Sequence, residues 1–141
     1  MQKIVSLFIV GLFLDLAMGS AVYGGSLDVK VSCPTSAFAR GSLSVTVSVK
    51  NTGLALISFD RAMAFLGGNA GNSFGLMGMY GPFNRDLGTR TLAAGALTSF
   101  SVEITNSVPS ALTSKVAAAG IQIYDSSGKG LGGDACAVPI N

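Results

Sequence analysis

Apolar and polar residues alternate along several short stretches of the chain. The clearest stretch is 42–53, SLSVTVSVKNTG, in which apolar residues occupy every second position. These residues are Leu43, Val45, Val47 and Val49. A period of two predicts a β-strand with one buried face, and NTG at 51–53 supplies the turn chemistry that ends it.

Further stretches of the same kind predict more strands. Residues 26–34 alternate until Pro34, which ends the pattern, and 97–105 and 115–125 alternate as well. The last residues, 134–141, are predicted to form the closing strand. These stretches are short and are separated by glycine, proline, asparagine and serine, which is typical of all-β proteins.

Two stretches are compatible with more than one structure. Residues 54–65, LALISFDRAMAF, break the alternation and suit one bent strand or two short ones. The alanines near 117 also suit a helix, but Gly120 and the β-branched residues after it favour a strand. With about seven short strands and no convincing long helix, the sequence predicts an all-β fold, an antiparallel β-sandwich.

The first residues are typical of a secretory signal peptide. Lys3 is followed by an uncharged run over 4–14 and then by small residues. Cleavage after Ala21 gives a signal peptide over 1–21, although Gly19 and Gly24 also satisfy the small-residue rule. The alternative is an uncleaved anchor, but Asp15 interrupts the run well short of the roughly 20 residues that span a bilayer. We therefore expect a secreted or periplasmic protein with no stable membrane span after signal removal.

Composition narrows the class of partner. The remaining residues, 22–141, amount to one domain. Only 11% of all residues are charged and the net charge is +2. Lys3 and Asp15 fall in the predicted signal peptide, which leaves eight cationic and six acidic side chains spread evenly along the domain. A nucleic-acid partner is not expected, because no basic cluster is present.

The two cysteines lie near the two ends of this domain. In an exported chain an isolated pair such as Cys33 and Cys136 is most simply a disulfide. The alternative is a reactive or metal-binding thiol pair. It is disfavoured because the chain has no C-x-x-C motif, no histidine and no cluster of cations beside either cysteine.

Three segments together resemble a known family. LSVTVSVKNTG, LAAGALTSFSVEI and KVAAAGIQIYDSSG follow one another at the spacing of bacterial immunoglobulin-like modules. They resemble cell-adhesion-related domains of the CARDB type over about 80 residues. The resemblance implies an immunoglobulin-like sandwich that acts outside the cytoplasm as a non-catalytic interaction module. The cysteine pair and a long glycine- and methionine-rich insert at 66–88 depart from the family pattern.

The chemistry of the side chains argues against catalysis. The chain contains no histidine, which removes serine and cysteine triads and histidine-ligated zinc. No two acidic residues form a local pair, and the glycine-rich 128–133 opens no helix that could hold a phosphate. We expect no enzymatic activity and no cofactor. Asp125, Ser127 and Asp134 offer three oxygen ligands for a calcium loop over 125–134, but Lys129 occupies a position where an oxygen ligand should lie.

The segment 66–83 combines loop-forming residues with core-like side chains. Its glycines and asparagines favour a bendable loop, whereas its larger side chains favour burial or recognition of a partner. The candidate recognition residues are Phe74, Met77, Met79, Tyr80 and Phe83. Packing of this segment over one end of its own domain is an equal alternative.

Methionine thioethers offer a second interpretation of the same segment. Met63, Met77 and Met79 are soft ligands that suit copper(I) in an exported compartment. The sequence thus predicts an exported binding or structural module whose partner is another protein or a component of the cell envelope. The alternative is a periplasmic copper-handling protein.

Overall fold

The computed structural model describes residues 27–68 and 80–141. Within these ranges the chain forms seven β-strands and one short 3-10 helix. The strands are β1 (Leu27–Ser32), β2 (Leu43–Asn51), β3 (Ile57–Gly67), β4 (Tyr80–Leu92), β5 (Leu97–Thr105), β6 (Val116–Tyr124) and β7 (Gly130–Pro139). The 3-10 helix, Ser110–Leu112, lies between β5 and β6. The predicted signal peptide lies outside the described residues. No helix in the described part of the chain is long and apolar enough to cross a membrane.

The strands form two antiparallel sheets. Sheet 1 has the order β1-β2-β5, and sheet 2 has the order β4-β3-β6-β7. All pairings between the named strands are antiparallel. The prediction of an all-β antiparallel sandwich with about seven strands is confirmed.

The alternation in the sequence determines which face of each strand is buried. In β2 the four apolar residues of the 42–53 stretch are at most 2% exposed, and the polar residues between them face outward. They share one core with the inward side chains of the facing sheet, because residues at alternate positions point to the same face. The largest of these facing side chains are Phe59, Leu66, Ile121 and Ile123.

The strand order gives the sandwich two ends. The proximal end is the one at which β1 begins, and it carries the loops 52–56, 93–96 and 125–129. The distal end carries the connection 33–42, the 3-10 helix and the last residue, Asn141.

One open side of the sandwich is closed by contacts between β1 and β7. The disulfide between Cys33 and Cys136 joins these edges with a Cα–Cα distance of 5.7 Å, which confirms the predicted pairing. The Val31 N–H donates a hydrogen bond of 2.8 Å to Asp134 Oδ2. Beyond the disulfide, Ala37 forms a parallel bridge with Ile140 and so continues sheet 2 beyond β7. The first segment of the domain thus contributes to both sheets.

The connection between β3 and β4 is shorter than the predicted insert. The predicted insert covered 66–88, but β3 continues to Gly67 and β4 begins at Tyr80. Only 68–79 connect the two strands. The ambiguous stretch 54–65 is also resolved, because β3 is a single strand that begins at Ile57 and has irregular pairing near Phe59 and Ala64.

The opposite open side, between β4 and β5, is covered by two arginines of β4. Arg85 donates hydrogen bonds to the main-chain oxygens of Glu103 and Ile104 in β5. The Arg90 guanidinium carbon lies 4.4 Å from the centre of the Phe100 ring. These long side chains cover the core where strand pairing stops.

Candidate binding surface

The described residues contain no group of three or more histidine, cysteine, aspartate or glutamate side chains that could hold a metal ion. Both cysteines are in the disulfide, so neither offers a thiolate. Asp134, in β7, accepts a hydrogen bond from the Val31 N–H. We find no arrangement of nucleophile, base and orienting group in the part of the chain that the structure describes.

The loop 125–129 uses Asp125 for its own folding. Asp125 Oδ1 accepts hydrogen bonds from the Ser127 N–H (3.0 Å), the Ser127 hydroxyl (2.6 Å) and the Lys129 N–H (2.9 Å). These bonds lower the pKa of the Asp125 carboxyl below its ordinary value of 3.8, because they favour the charged form. Asp134, the third ligand considered for calcium, instead bonds to β1. The residues considered for calcium are therefore not used together.

A shallow cavity of about 340 Å³ lies beside the outer face of sheet 2 near the proximal end. It is lined by Asp60, Arg61, Asn84, Asp86 and Ser126. Asp60 Oδ1 is buried and has no hydrogen-bond partner among the described residues. The remainder of Asp60 is only half-buried. The cavity holds two carboxylates beside a guanidinium, an arrangement that suits polar surface contacts better than a chemical step.

The predicted recognition residues fall into two groups. Phe74, Met77 and Met79 lie outside the described residues. Tyr80 and Phe83 lie in β4, and both pack partly against the core. Their backbones pair with Leu66 and Ala64 of β3.

Met63 is the one methionine of the copper hypothesis that lies among the described residues. Its neighbours Ala62 and Ala64 point into the core, and Met63 lies on the outer face of β3 opposite Gln122. The other two methionines of the copper hypothesis are not among the described residues. Copper binding therefore stays a prediction.

The proximal end carries a group of exposed leucines. Leu54 is 100% exposed, Leu97 is 66% exposed and Leu56 is 65% exposed. Two belong to the loop 52–56, TGLAL, and the third follows the loop 93–96, AAGA. Neither loop contains a charged residue. Of the five large apolar side chains that are exposed in the described part of the chain, three lie at this end, which marks it as a candidate interaction surface.

Asn51 joins the two leucine-bearing loops. It is 0% exposed, and its side-chain NH₂ donates to the Ala55 carbonyl (2.8 Å) and to the Leu92 carbonyl (2.9 Å). Its Oδ1 accepts from the Gly53 N–H at 2.9 Å. Its backbone also exchanges hydrogen bonds with the second loop, through the Ala96 carbonyl and the Gly95 N–H. One buried amide thus fixes both loops to the ends of β2 and β4.

Sequence reasoning missed this surface. Leu54 and Leu56 were assigned to the stretch 54–65 as strand residues, and Leu97 to the apolar set of β5. The available indication was the asparagine of NTG at 51–53, because asparagine in a turn bonds to nearby backbone groups. Its burial, and the exposure of the leucines, depend on contacts between β2 and β4 that alternation alone does not define.

Comparison with known proteins identifies the fold. No protein-family model matches the chain, and no curated protein matches it. The crystal structure of Spo0M, a sporulation control protein from Bacillus subtilis, is similar with a TM-score of 0.58 and 12% identity over 83% of this chain and 50% of Spo0M. The chain therefore spans about half the length of that protein.

A second similar structure supports the predicted resemblance. The solution structure of the CARDB domain of PF1109 from Pyrococcus furiosus has a TM-score of 0.50 and 12% identity, covering 82% of this chain and 94% of that domain. At this identity the similarity concerns the fold alone. The fold defines an immunoglobulin-like β-sandwich module, and the predicted resemblance to a CARDB domain is confirmed at that level.

Proposed function

We propose that the protein is an exported, non-catalytic module that binds a component of the cell envelope through its proximal end. The observation that carries this proposal is the group of exposed leucines formed by Leu54, Leu56 and Leu97. Similarity to CARDB and Spo0M folds is consistent with a module that has no catalytic activity of its own. Loops at one end of a sandwich commonly carry the binding residues of such modules.

The energetics favour these leucines as binding residues. Full burial of one leucine side chain contributes about 1.5–3 kcal/mol, so three leucines can supply most of the driving force of a moderate-affinity contact. The bonds that Asn51 makes hold both loops before binding. Preorganised loops lose less conformational entropy when a partner arrives.

Two exposed lysines lie at the same end of the sandwich as the leucines. Lys50 is exposed on β2 directly opposite Leu97, and Lys129 is exposed in the third proximal loop. An apolar centre with a charged rim is the usual anatomy of a protein interface. Lys50 and Lys129 favour a partner whose surface is neutral or negatively charged.

The disulfide supports export. Disulfides persist in oxidising compartments and are rare in the cytosol. Cys33 and Cys136 are separated by 103 residues, so their bond constrains nearly the whole domain. Together with the predicted signal peptide over 1–21, it favours a secreted or periplasmic location.

Co-sedimentation with isolated bacterial cell envelopes tests the proposed function. The secreted form of the protein should sediment with envelopes, and Leu54→Ser/Leu56→Ser/Leu97→Ser should abolish most of this binding. The control is Ser44→Ala/Thr46→Ala/Ser101→Ala on the outer face of sheet 1 away from the proximal end, which should bind normally. Equal binding by the leucine variant and the control would contradict the proposal. Mass spectrometry of the secreted form checks export separately, because it reports whether the first residues have been removed and the disulfide has formed.

A further inference from the structure

The outer faces of the two sheets differ in polarity. On sheet 1 the outward positions are mostly serine, threonine and charged side chains, including Asp28, Lys30 and Glu103. On sheet 2 the outward positions are mostly apolar. We identify an outward position by two criteria: its neighbours along the strand are buried, or its partner on the adjacent strand also points outward. The outward apolar and small residues are Met63, Phe65, Val116, Ala118, Gly120, Ala135, Ala137 and Pro139.

This outer face of sheet 2 is flat at its centre. A side chain built on Gly120 would lie 3.7 Å from the Ala135 Cβ and 3.9 Å from a ring carbon of Phe65. Ala118 pairs with Ala137 in the next row. A glycine and three alanines therefore form a low surface beside the Phe65 ring. Such a surface allows another sheet to approach to about 10 Å, the usual spacing of packed sheets.

The apolar face continues to the distal end. Val116 is 42% exposed and pairs with Pro139, which is also exposed. Phe38 is 67% exposed and lies beside Ala37, whose N–H bonds to the Pro139 carbonyl. Ala37 points into the core, so the alternation directs Phe38 outward.

Within the paired strands, the charged side chains of this face lie at its proximal margin, and the exposed Lys115 and Arg40 lie at the distal end. Arg61 and its cross-strand partner Asp86 lie at that margin. From Phe65 to Val116, the outward residues that the structure describes on this face carry no charge. A second copy of the same face would therefore meet no like charge at its centre.

The size of the face suits a dimer. β6 has nine residues, which corresponds to about 30 Å at about 3.3 Å per residue, and four strands span about 19 Å at about 4.8 Å each. The projected area of the whole outer face, its charged proximal margin included, is thus about 600 Å², and the side chains and the segment at Phe38 add to it. Standard interfaces bury about 800 Å² per partner.

We propose that two copies of this chain associate through the outer faces of sheet 2. The flat shape, the uncharged centre and the area together fit a self-complementary two-fold interface, in which the same patch is used by both copies. The leucines of the proximal end stay outside this interface. The dimer goes beyond the proposed function and does not depend on it.

Analytical ultracentrifugation of the secreted form over a concentration series tests this proposal. We expect a reversible monomer–dimer equilibrium. Ala135→Glu/Ala137→Glu places two carboxylates per copy on the outer face of β7 and should raise the dimer dissociation constant about 100-fold or more, because unpaired charges would be buried. The matched control is Ser99→Glu/Ser101→Glu, which adds the same charges at the same spacing on the outer face of β5 and should leave the constant nearly unchanged.

Two results would overturn the dimer. If the wild-type protein stays monomeric at every concentration, the dimer is ruled out, and any partner of this face must be a different protein. A dimer that tolerates both glutamates in β7 would place the contact elsewhere, and dissociation by the leucine variant would then assign it to the proximal end. Thermal unfolding of both double variants shows that they are folded. Envelope binding is a separate measurement, so failure of the dimer does not count as failure of the proposed function.

Discussion

The Arg85 guanidinium lies closer to the main-chain carbonyl oxygen of Glu103 than to the Glu103 carboxylate. Arg85 Nε lies 2.6 Å from the Glu103 carbonyl oxygen, whereas Arg85 Nη2 lies 4.0 Å from Glu103 Oε1. The second bond, of 3.1 Å, goes to the carbonyl of Ile104. Ile104 has no partner residue on β2, because the pairing shifts between Leu43 and Ser44. The guanidinium thus satisfies main-chain oxygens at an irregular strand edge.

Replacing Arg85 should therefore cost more than replacing Glu103. Arg85→Met removes both main-chain bonds and should lower the free energy of unfolding by about 1–2 kcal/mol. Glu103→Gln removes only an exposed ion pair and should change it by less than about 0.5 kcal/mol. Urea denaturation of the two variants measures the difference. Equal losses would show that the carboxylate, and not the backbone, is the important partner of Arg85.

Gly132 allows β1 to lie against β7. A Cβ at Gly132 would lie 2.7 Å from the Leu27 carbonyl oxygen and 3.0 Å from Val29 Cγ2. Gly132→Ala should therefore destabilise the fold by about 2 kcal/mol, within the usual range for overpacking. Gly130→Ala is the matched control, because its Cβ would make ordinary contacts at 3.6 Å. It should be neutral or slightly stabilising. Similar denaturation midpoints for both variants would contradict this account of the β1–β7 contact.

Asn51 should be among the most sensitive polar positions in the domain. Asn51→Ala leaves the Leu92 carbonyl without its side-chain partner and removes the bonds to Ala55 and Gly53. We expect a loss of about 2–3 kcal/mol in unfolding free energy, since buried unsatisfied groups are costly. Envelope binding should also weaken under conditions in which the variant is still folded, because the loop 52–56, which bears Leu54 and Leu56, loses the bonds from the Asn51 side chain. A variant with wild-type stability and binding would show that the loops are held by other contacts.

Asp125 and Asp134 should affect the pH dependence of stability in opposite directions. Hydrogen bonds lower the pKa of Asp125. Much of the surface of Asp134 is exposed, but its carboxyl lies against β1, and the loss of water there raises its pKa above 3.8. Hydrogen bonds from the Val31 and Ala135 N–H groups offset part of this rise. The folded state therefore binds the Asp125 proton less tightly than the unfolded state does. It binds the Asp134 proton more tightly than the unfolded state does.

The sign of each contribution follows from proton linkage. Stabilisation by Asp125 is present above 3.8 and is lost as the pH falls through its lowered pKa. Stabilisation by Asp134 is present below 3.8 and is lost as the pH rises through its raised pKa. Denaturation of wild type, Asp125→Asn and Asp134→Asn should be compared from about pH 3 to about pH 6. The advantage of wild type over Asp125→Asn should grow with pH, and its advantage over Asp134→Asn should shrink. Parallel curves for the two variants would contradict the assignment.

Most strands could be predicted from the sequence because their buried faces are purely apolar. β4 could not, since two of its side chains directed toward β5 are arginines. Arg85 and Arg90 cover the core with their stems while their charged groups bind β5. The strand also contains irregular pairing, with Arg61 opposite Asp86 and Phe59 opposite Arg90. An edge strand of this kind has neither the alternation nor the composition of the central strands.

The candidate binding surface also could not be predicted from the sequence. A leucine is usually buried, so the pattern placed Leu54 in the strand stretch 54–65 and counted Leu97 among the apolar residues of 97–105, outside their shared face. Their exposure depends on where β2 and β4 end, which is determined by the buried amide of Asn51. The disulfide was predictable because an exported chain with two cysteines has only one internal pairing.

Binding of the cell envelope by the proximal end is tested most directly with a fluorescent label at that end. An environment-sensitive dye attached to Leu54→Cys should shift to shorter wavelength when isolated envelopes are added, because Leu54 passes from water into an apolar contact. The same dye on Ser44→Cys, which is exposed at the distal end of the outer face of sheet 1, should not shift. Equal responses at the two positions, or no response at position 54 while the protein still sediments with envelopes, would contradict the claim.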